Sequence, residues 1–169
     1  IIEFTYEAEF IKPTNEIKKT MAIDLGVSNL ATCITTDNES FIIDGKYLKS
    51  INQFYNKQKA HYQSLLPKNI KYSKRIKGLD NKRNNKVDDY INKSISQLLS
   101  KAIELNVDEI ILGWNNGIKL KGIKNDNLIG KDKRKVNQSF IQLPLSRFKD
   151  KLINKCRQLG IHIHVINEA

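Results

Sequence analysis

The chain has 169 residues, 40% of them hydrophobic, with 29 lysines and arginines against 18 acids and a net charge of +11. That length suffices for one domain with a proper core, and no stretch resembles a signal peptide or an apolar membrane-spanning helix. Cys33 and Cys156 stand far apart in apolar patterns, so neither a disulfide framework nor a zinc site is indicated, and both read as reduced core thiols.

In chain order, Ile2, Phe4, Tyr6, Ala8 and Phe10 alternate with Glu3, Thr5, Glu7 and Glu9, a half-buried strand ended by Lys12-Pro13-Thr14-Asn15. Residues 1–17 read as strand and linker, either the remnant of a preceding domain or an edge strand, and residues 18–169 as one domain. Three strands follow over 20–26, 30–36 and 39–44, separated by Gly26-Val27-Ser28-Asn29 and by Asp37-Asn38, which predicts an antiparallel meander. From Tyr47 the period becomes helical: Leu48, Ile51, Tyr55, Gln58, Tyr62 and Leu65 precede Pro67. A second helix carries Val87, Ile91, Ile95, Leu98, Ala102 and Leu105 on one stripe. Residues 107–114 read as a buried strand, Leu145 to Leu159 as a third helix stopped by Gly160, and 161–167 as a last strand. A meander followed by alternating helices and strands predicts an α/β fold with a sheet of mixed direction. The ribonuclease H-like fold has this order. The chain begins at Ile1 without a methionine and stops directly after a strand pattern, so it reads as a piece of something longer.

The charge is clustered. Residues 68–86 hold eight lysines and arginines against one acid and residues 119–135 hold seven against two, so the remaining 14 basic and 15 acidic residues nearly cancel. Both segments contain Gly and Asn and lack a sustained apolar period, so they read as exposed loops or frayed helix ends suited to a phosphate backbone. The candidate nucleic-acid contacts are Lys74, Arg75, Lys82, Arg83, Lys86, Lys119, Lys121, Lys133 and Arg134. Tyr72 is the lone aromatic in these segments, which favours recognition of shape and charge over base stacking. The plainer reading is a composition bias that serves solubility. In Ala22-Ile23-Asp24-Leu25-Gly26 one carboxylate stands inside an apolar strand immediately before a turn. A charge there needs a partner, and a divalent metal is a natural one; the plainer alternative is an aspartate that caps the Gly26–Ser28 bend.

The segment from Ala22 to Ala31, with Lys82-Arg83-Asn84-Asn85-Lys86-Val87-Asp88-Asp89-Tyr90-Ile91-Asn92-Lys93-Ser94, Asn137-Gln138-Ser139-Phe140-Ile141-Gln142-Leu143-Pro144-Leu145 and Val165-Ile166-Asn167-Glu168-Ala169, resembles the RuvC-like nuclease domain of the TnpB (OrfB) insertion-sequence transposase family. The resemblance runs from about Thr20 onward. It implies a ribonuclease H-like fold and an RNA-guided DNA endonuclease using two metals, Mg2+ or Mn2+, with DNA and guide RNA as partners and a cytoplasmic, nucleoid-associated location. It implies Asp24 as the first catalytic and metal-binding acid. Many members carry a second acid where this chain has Gly113; a subset with a similar Gly113-Trp114-Asn115-Asn116-Gly117 segment carries it one strand later, at the position of Glu168. Asp24 and Glu168 are therefore the expected metal ligands. The family's zinc ribbon and its third acid would lie beyond Ala169, so this stretch alone is expected to be catalytically incomplete.

Several residues keep alternatives in view. Glu168 shares its strand parity with His162, His164 and Ile166 but could equally be an exposed glutamate. The two histidines read as a solvated face rather than ligands, Trp114 as space-filling beside the sheet, and Arg83 as either a nucleic-acid contact or a surface charge near a helix start. A nucleic-acid-binding domain without catalysis is the main competing function. An actin- or chaperone-like ATPase is the other, because Ile23-Asp24-Leu25-Gly26 is similar to that superfamily's phosphate turn. The second phosphate turn it needs is missing, and Asp44-Gly45-Lys46 is too close to the first to serve.

Overall fold

Alternation in the first strand decides which way the sheet faces. In β1 (Thr20–Leu25) Met21 and Ile23 are buried while Ala22 and Asp24 are exposed, so period-two spacing gives one apolar face and one open face. The structure is a computed structural model that describes residues 10–13, 16–114 and 143–167. β2 (Asn29–Thr35) and β3 (Ser40–Asp44) continue antiparallel from β1. β4 (Glu109–Trp114) lies parallel to β1 on its other side, and β5 (His162–Asn167) lies parallel to β4. The order across the sheet is β3-β2-β1-β4-β5, which makes β1 the central strand.

Three helices, α1 (Lys46–Ser64), α2 (Lys74–Glu104) and α3 (Leu145–Leu159), supply the other half of the core. Met21, Ile23, Cys33, Ile110 and Leu112 from the sheet pack with Leu48, Ile91, Leu98, Phe148 and Leu152 from the helices in one cluster. Burying these side chains is the main stabilising term, about 1.5–3 kcal/mol for each large one. α3 stops at Gly160, whose φ of 70° is left-handed and free of Cβ strain only in glycine. The opposite sheet face keeps Ile34, Ile42 and Ile166 about half exposed.

The predicted meander, the strand of 107–114, the last helix and the last strand are all present, with ends shifted by no more than two residues. The second helix differs. It begins at Lys74, well before Val87, so most of residues 68–86 is continuous helix rather than exposed loop or frayed helix end. Ser73 caps it by accepting a hydrogen bond from the Ile76 N–H at 3.3 Å. The period was concealed because inward positions of this stretch carry Asp80 and Arg83, polar groups whose partners come from α1. Of the predicted strand over residues 2–10, residues 1–9 lie outside the described residues, as does the basic segment 119–135.

α1 and α2 form an antiparallel hairpin. Tyr47 meets Tyr90, Asn52 meets Arg83, Tyr55 meets Asp80 and Tyr62 meets Arg75, so positions rise along one helix as they fall along the other. From Val87 onward α2 covers the sheet. Its first thirteen residues, Lys74 to Lys86, are about 20 Å of helix leading up to the part that covers the sheet, which it reaches at the end where β1 and β3 finish, the Tyr90 hydroxyl donating to the Asp44 carbonyl.

Candidate metal and nucleic-acid site

Asp24 is the next-to-last residue of β1, opposite Thr32 of β2 and one step past the Ile23–Leu112 pair with β4. Continuing that parallel register sets Gly113 beside it, and Gly113 pairs with Ile166 of β5. The carboxylate is exposed on the open face and makes no hydrogen bond or ion pair to another described residue. It does not cap the bend. The bend is held by backbone instead, the Gly26 N–H donating to the Leu30 carbonyl at 3.4 Å and the Gly45 N–H to the Ser28 carbonyl at 2.8 Å. A Cβ on Gly45 would overlap the Val27 carbonyl oxygen.

Glu168, the expected second acid, lies outside the described residues, as do Lys119, Lys121, Lys133 and Arg134. Among the described residues no three His, Cys, Asp or Glu side chains gather as a metal site. His164 instead pairs through Nε2 with Glu109 Oε1 at 3.3 Å, and the Thr20 hydroxyl donates to Glu109 Oε2 at 2.9 Å. This cluster sits at the starts of β1 and β4, the far end of the sheet from Asp24. Asp108 fixes the chain's entry into β1 by accepting the Lys18 and Lys19 N–H groups, each at 3.0 Å.

On α2, Lys74, Arg75, Lys82 and Lys86 are exposed. Arg75, Lys82 and Lys86 are spaced seven and four residues apart, which at 100° per residue aligns them on one stripe. Arg75 also lies over the Tyr62 ring with 4.5 Å to the centroid. Arg83 is turned the other way. Its Nε and Nη2 donate to Oδ1 of the buried Asn52 at 2.9 and 2.7 Å, and Nη1 to Asn84 Oδ1 at 3.0 Å. Burial lowers its pKa. Arg83 thus fastens α2 to α1 from ten residues inside the helix rather than at its start.

The next turn of the hairpin continues this polar seam. Asp80 accepts hydrogen bonds from the Tyr72 and Tyr55 hydroxyls, and the Lys59 ammonium donates to the Tyr55 oxygen at 2.8 Å. Burial pushes the Asp80 carboxyl up, but the two hydroxyls, Lys59 and Arg83 outweigh it and the net shift is downward. Sequence reasoning missed Asn52, Tyr55 and Asp80 as a set; the signal available was Tyr55, Asn52 and Lys59 recurring at helical spacing opposite Asp80 and Arg83. Trp114 is partly buried against the core, with the Lys149 ammonium 4.5 Å from the ring centroid, so it fills space beside the sheet as expected.

A mixed sheet in the order β3-β2-β1-β4-β5, with three helices against one face and an acid at the end of the central strand, defines a ribonuclease H-like domain. Residues 3–119 match the OrfB_IS605 family, described as "Probable transposase", and the chain belongs to that family. Among solved structures it is similar to a Cas12f1–sgRNA–target DNA complex, with a TM-score of 0.58 and 18% identity over 92% of this chain and 37% of that one. It is also similar to a CRISPR-Cas12f ternary complex, with a TM-score of 0.62 and 17% identity over 99% of this chain and 31% of that one. The chain therefore spans about a third of the length of these proteins, and at such identity the likeness is one of fold. No curated protein matches the chain. No helix among the described residues is long and apolar enough to cross a membrane.

Proposed function

We propose that this chain is the RuvC-like portion of a transposon-encoded, RNA-guided DNA endonuclease that hydrolyses phosphodiester bonds. The observation that carries the reading is Asp24, an exposed carboxylate at the end of the central strand with no partner among the described residues. A hard oxygen donor in that state fits Mg2+ or Mn2+. Asp24 is one ligand of such a site; Glu168 is the second in this proposal, because by resemblance it matches the position at which a subset of the family carries the acid that is missing at Gly113. Two bound ions would supply an activated water and stabilise the leaving oxygen. What this chain's own residues do is narrower. Asp24 and Glu168 fix the charge and position of the site, while the Arg75–Lys82–Lys86 stripe beyond the same sheet end attracts and orients phosphate. The Cas12f structures, solved with sgRNA and target DNA or as a ternary complex, support nucleic acid as the partner class.

The test is target-DNA cleavage by the complete protein with its guide RNA and Mg2+. Asp24→Asn and Glu168→Gln should each abolish cleavage and leave target affinity within about twofold of the parent, since uncharged isosteres lose the metal but not the phosphate contacts. Cleavage by Glu168→Gln would remove Glu168 from the site. Gly113 beside Asp24 supports a second reading, nucleic-acid binding without chemistry; it requires salt-sensitive binding by a parent protein that cuts nothing at any Mg2+ or Mn2+ concentration.

A further inference from the structure

Away from the Asp24 end, α2 and α3 enclose a groove of about 530 Å³ on the surface that faces away from the sheet. Its floor is an apolar stripe, Ile95 and Leu99 buried and Ile103 and Leu159 exposed. Beside that stripe on α2 runs a second one of small or short polar residues, Asn92, Ser96 and Ser100, at i, i+4 and i+8. Among the described residues of the lining the charged ones are Lys151 and Lys155, and none is an acid. Lys151 Nζ donates to Asn92 Oδ1 at 2.7 Å across the upper end.

We propose that this groove seats an amphipathic helix of a protein partner, apolar on the inserted face and acidic along the flank that meets Lys151 and Lys155. Length fits. Asn92 to Ile103 covers about 16 Å, or three turns of a seated helix. The serine stripe lets a second backbone approach closely, and the aliphatic stripe beside it takes side chains recurring at i, i+3, i+4 and i+7. Charge complementarity selects the flank. A second copy of this chain is disfavoured because its net charge is +11, and an RNA strand is disfavoured because four large aliphatic side chains offer nothing to phosphate.

Fluorescence anisotropy of the 169-residue chain tests this with two labelled, helix-stabilised peptides of about three turns, identical in their leucine stripe but flanked by glutamate or by lysine, and with a labelled RNA hairpin. The glutamate peptide should bind at least tenfold tighter than the lysine peptide. Ser100→Arg, which blocks the groove from an exposed position, and Ile103→Asp, which charges its exposed end, should each weaken the glutamate peptide at least tenfold. Lys151→Glu/Lys155→Glu should reverse the peptide preference and leave the RNA affinity within about threefold. Failure of the glutamate peptide to bind, equal binding of both peptides, or indifference to Ser100→Arg overturns the proposal. A tenfold loss of RNA affinity on Lys151→Glu/Lys155→Glu also overturns it and makes the groove a nucleic-acid seat.

Discussion

Asn52→Ala separates the two roles that Arg83 could have. In the folded chain a single buried acceptor, Asn52 Oδ1, takes hydrogen bonds from Arg83 Nε at 2.9 Å and Nη2 at 2.7 Å. Truncation leaves both donors of a partly buried cation without that acceptor. A hydrogen bond to a charged group contributes about 1.5–3 kcal/mol. Because one shared acceptor is lost and Arg83 keeps Asn84, the expected cost is that of one such bond, about 1.5–3 kcal/mol, or roughly 10- to 150-fold in the unfolding constant. For a chain of this size that corresponds to a fall in Tm of about 3–12 °C. The assay is urea denaturation of the parent, Asn52→Ala, Arg83→Ala and the double variant. The singles should be comparably destabilised and the double should cost clearly less than their sum, since both remove one interaction. Additive losses, or a loss below about 0.5 kcal/mol for Asn52→Ala, would refute the assignment of Arg83 as a clamp. Lys82→Ala is the control: exposed one residue away, it should leave stability unchanged.

Nucleic-acid binding should show the complementary pattern: Lys82→Ala and Lys86→Ala should each flatten the dependence of log affinity on log salt by about 0.7–0.9, the contribution of one phosphate contact, while Asn52→Ala leaves the slope alone. Burial raises the Cys33 and Cys156 thiols to about 12. The unfolded chain therefore loses these protons first as pH rises above about 9, and stability should fall from there towards pH 12 by up to about 1.4 kcal/mol per pH unit for each thiol. A Cys33→Ala/Cys156→Ala variant, compared by denaturation across that window, should lack this component. Asp80 runs the opposite way: its pKa is depressed in the folded chain, so its contribution is present above the usual carboxylate range and lost on acidification. Asp80→Asn should accordingly lower stability at pH 7 and flatten its decline below pH 4 in circular-dichroism melts. Gly45→Ala should destabilise by more than the gain of about 0.4–1 kcal/mol usual for a compatible site, because the new Cβ overlaps the Val27 carbonyl oxygen; an unchanged or raised Tm would show that the turn yields freely.

Much of the sheet was legible because its strands are short, alternate cleanly and are separated by Gly, Asn and Asp. Leu145, Phe148, Leu152 and Cys156 likewise declare the buried face of α3 without help from any neighbour. The first half of α2 was not legible, since helical periodicity is read from apolar residues and here Asp80 and Arg83 take inward positions between Ile76 and Val87. Their suitability depends on Tyr55 and Asn52, some thirty residues earlier in the chain. Asp24 could be singled out from its apolar neighbours alone. That Gly113 stands beside it was implied only by the family resemblance and not by the residues themselves, because the pairing of β1 with β4 is a long-range choice made by the sheet.

The hairpin's polar seam sets how the molecule comes apart. An apolar helix pair resists opening wherever it is touched, whereas the seam from Asn52 to Tyr72 is held by directional bonds that water can replace one at a time. From Val87 onward α2 is anchored in the common core. The outer two-thirds of α1 and the first three turns of α2 thus form a unit that can loosen while the sheet stays intact. Native-state hydrogen exchange should therefore find the amides of this arm in a low-stability group, distinct from those of β1 and β4: a compliant arm on a stiff base, free to adjust to what lies beyond the sheet edge without cost to the strand that carries Asp24.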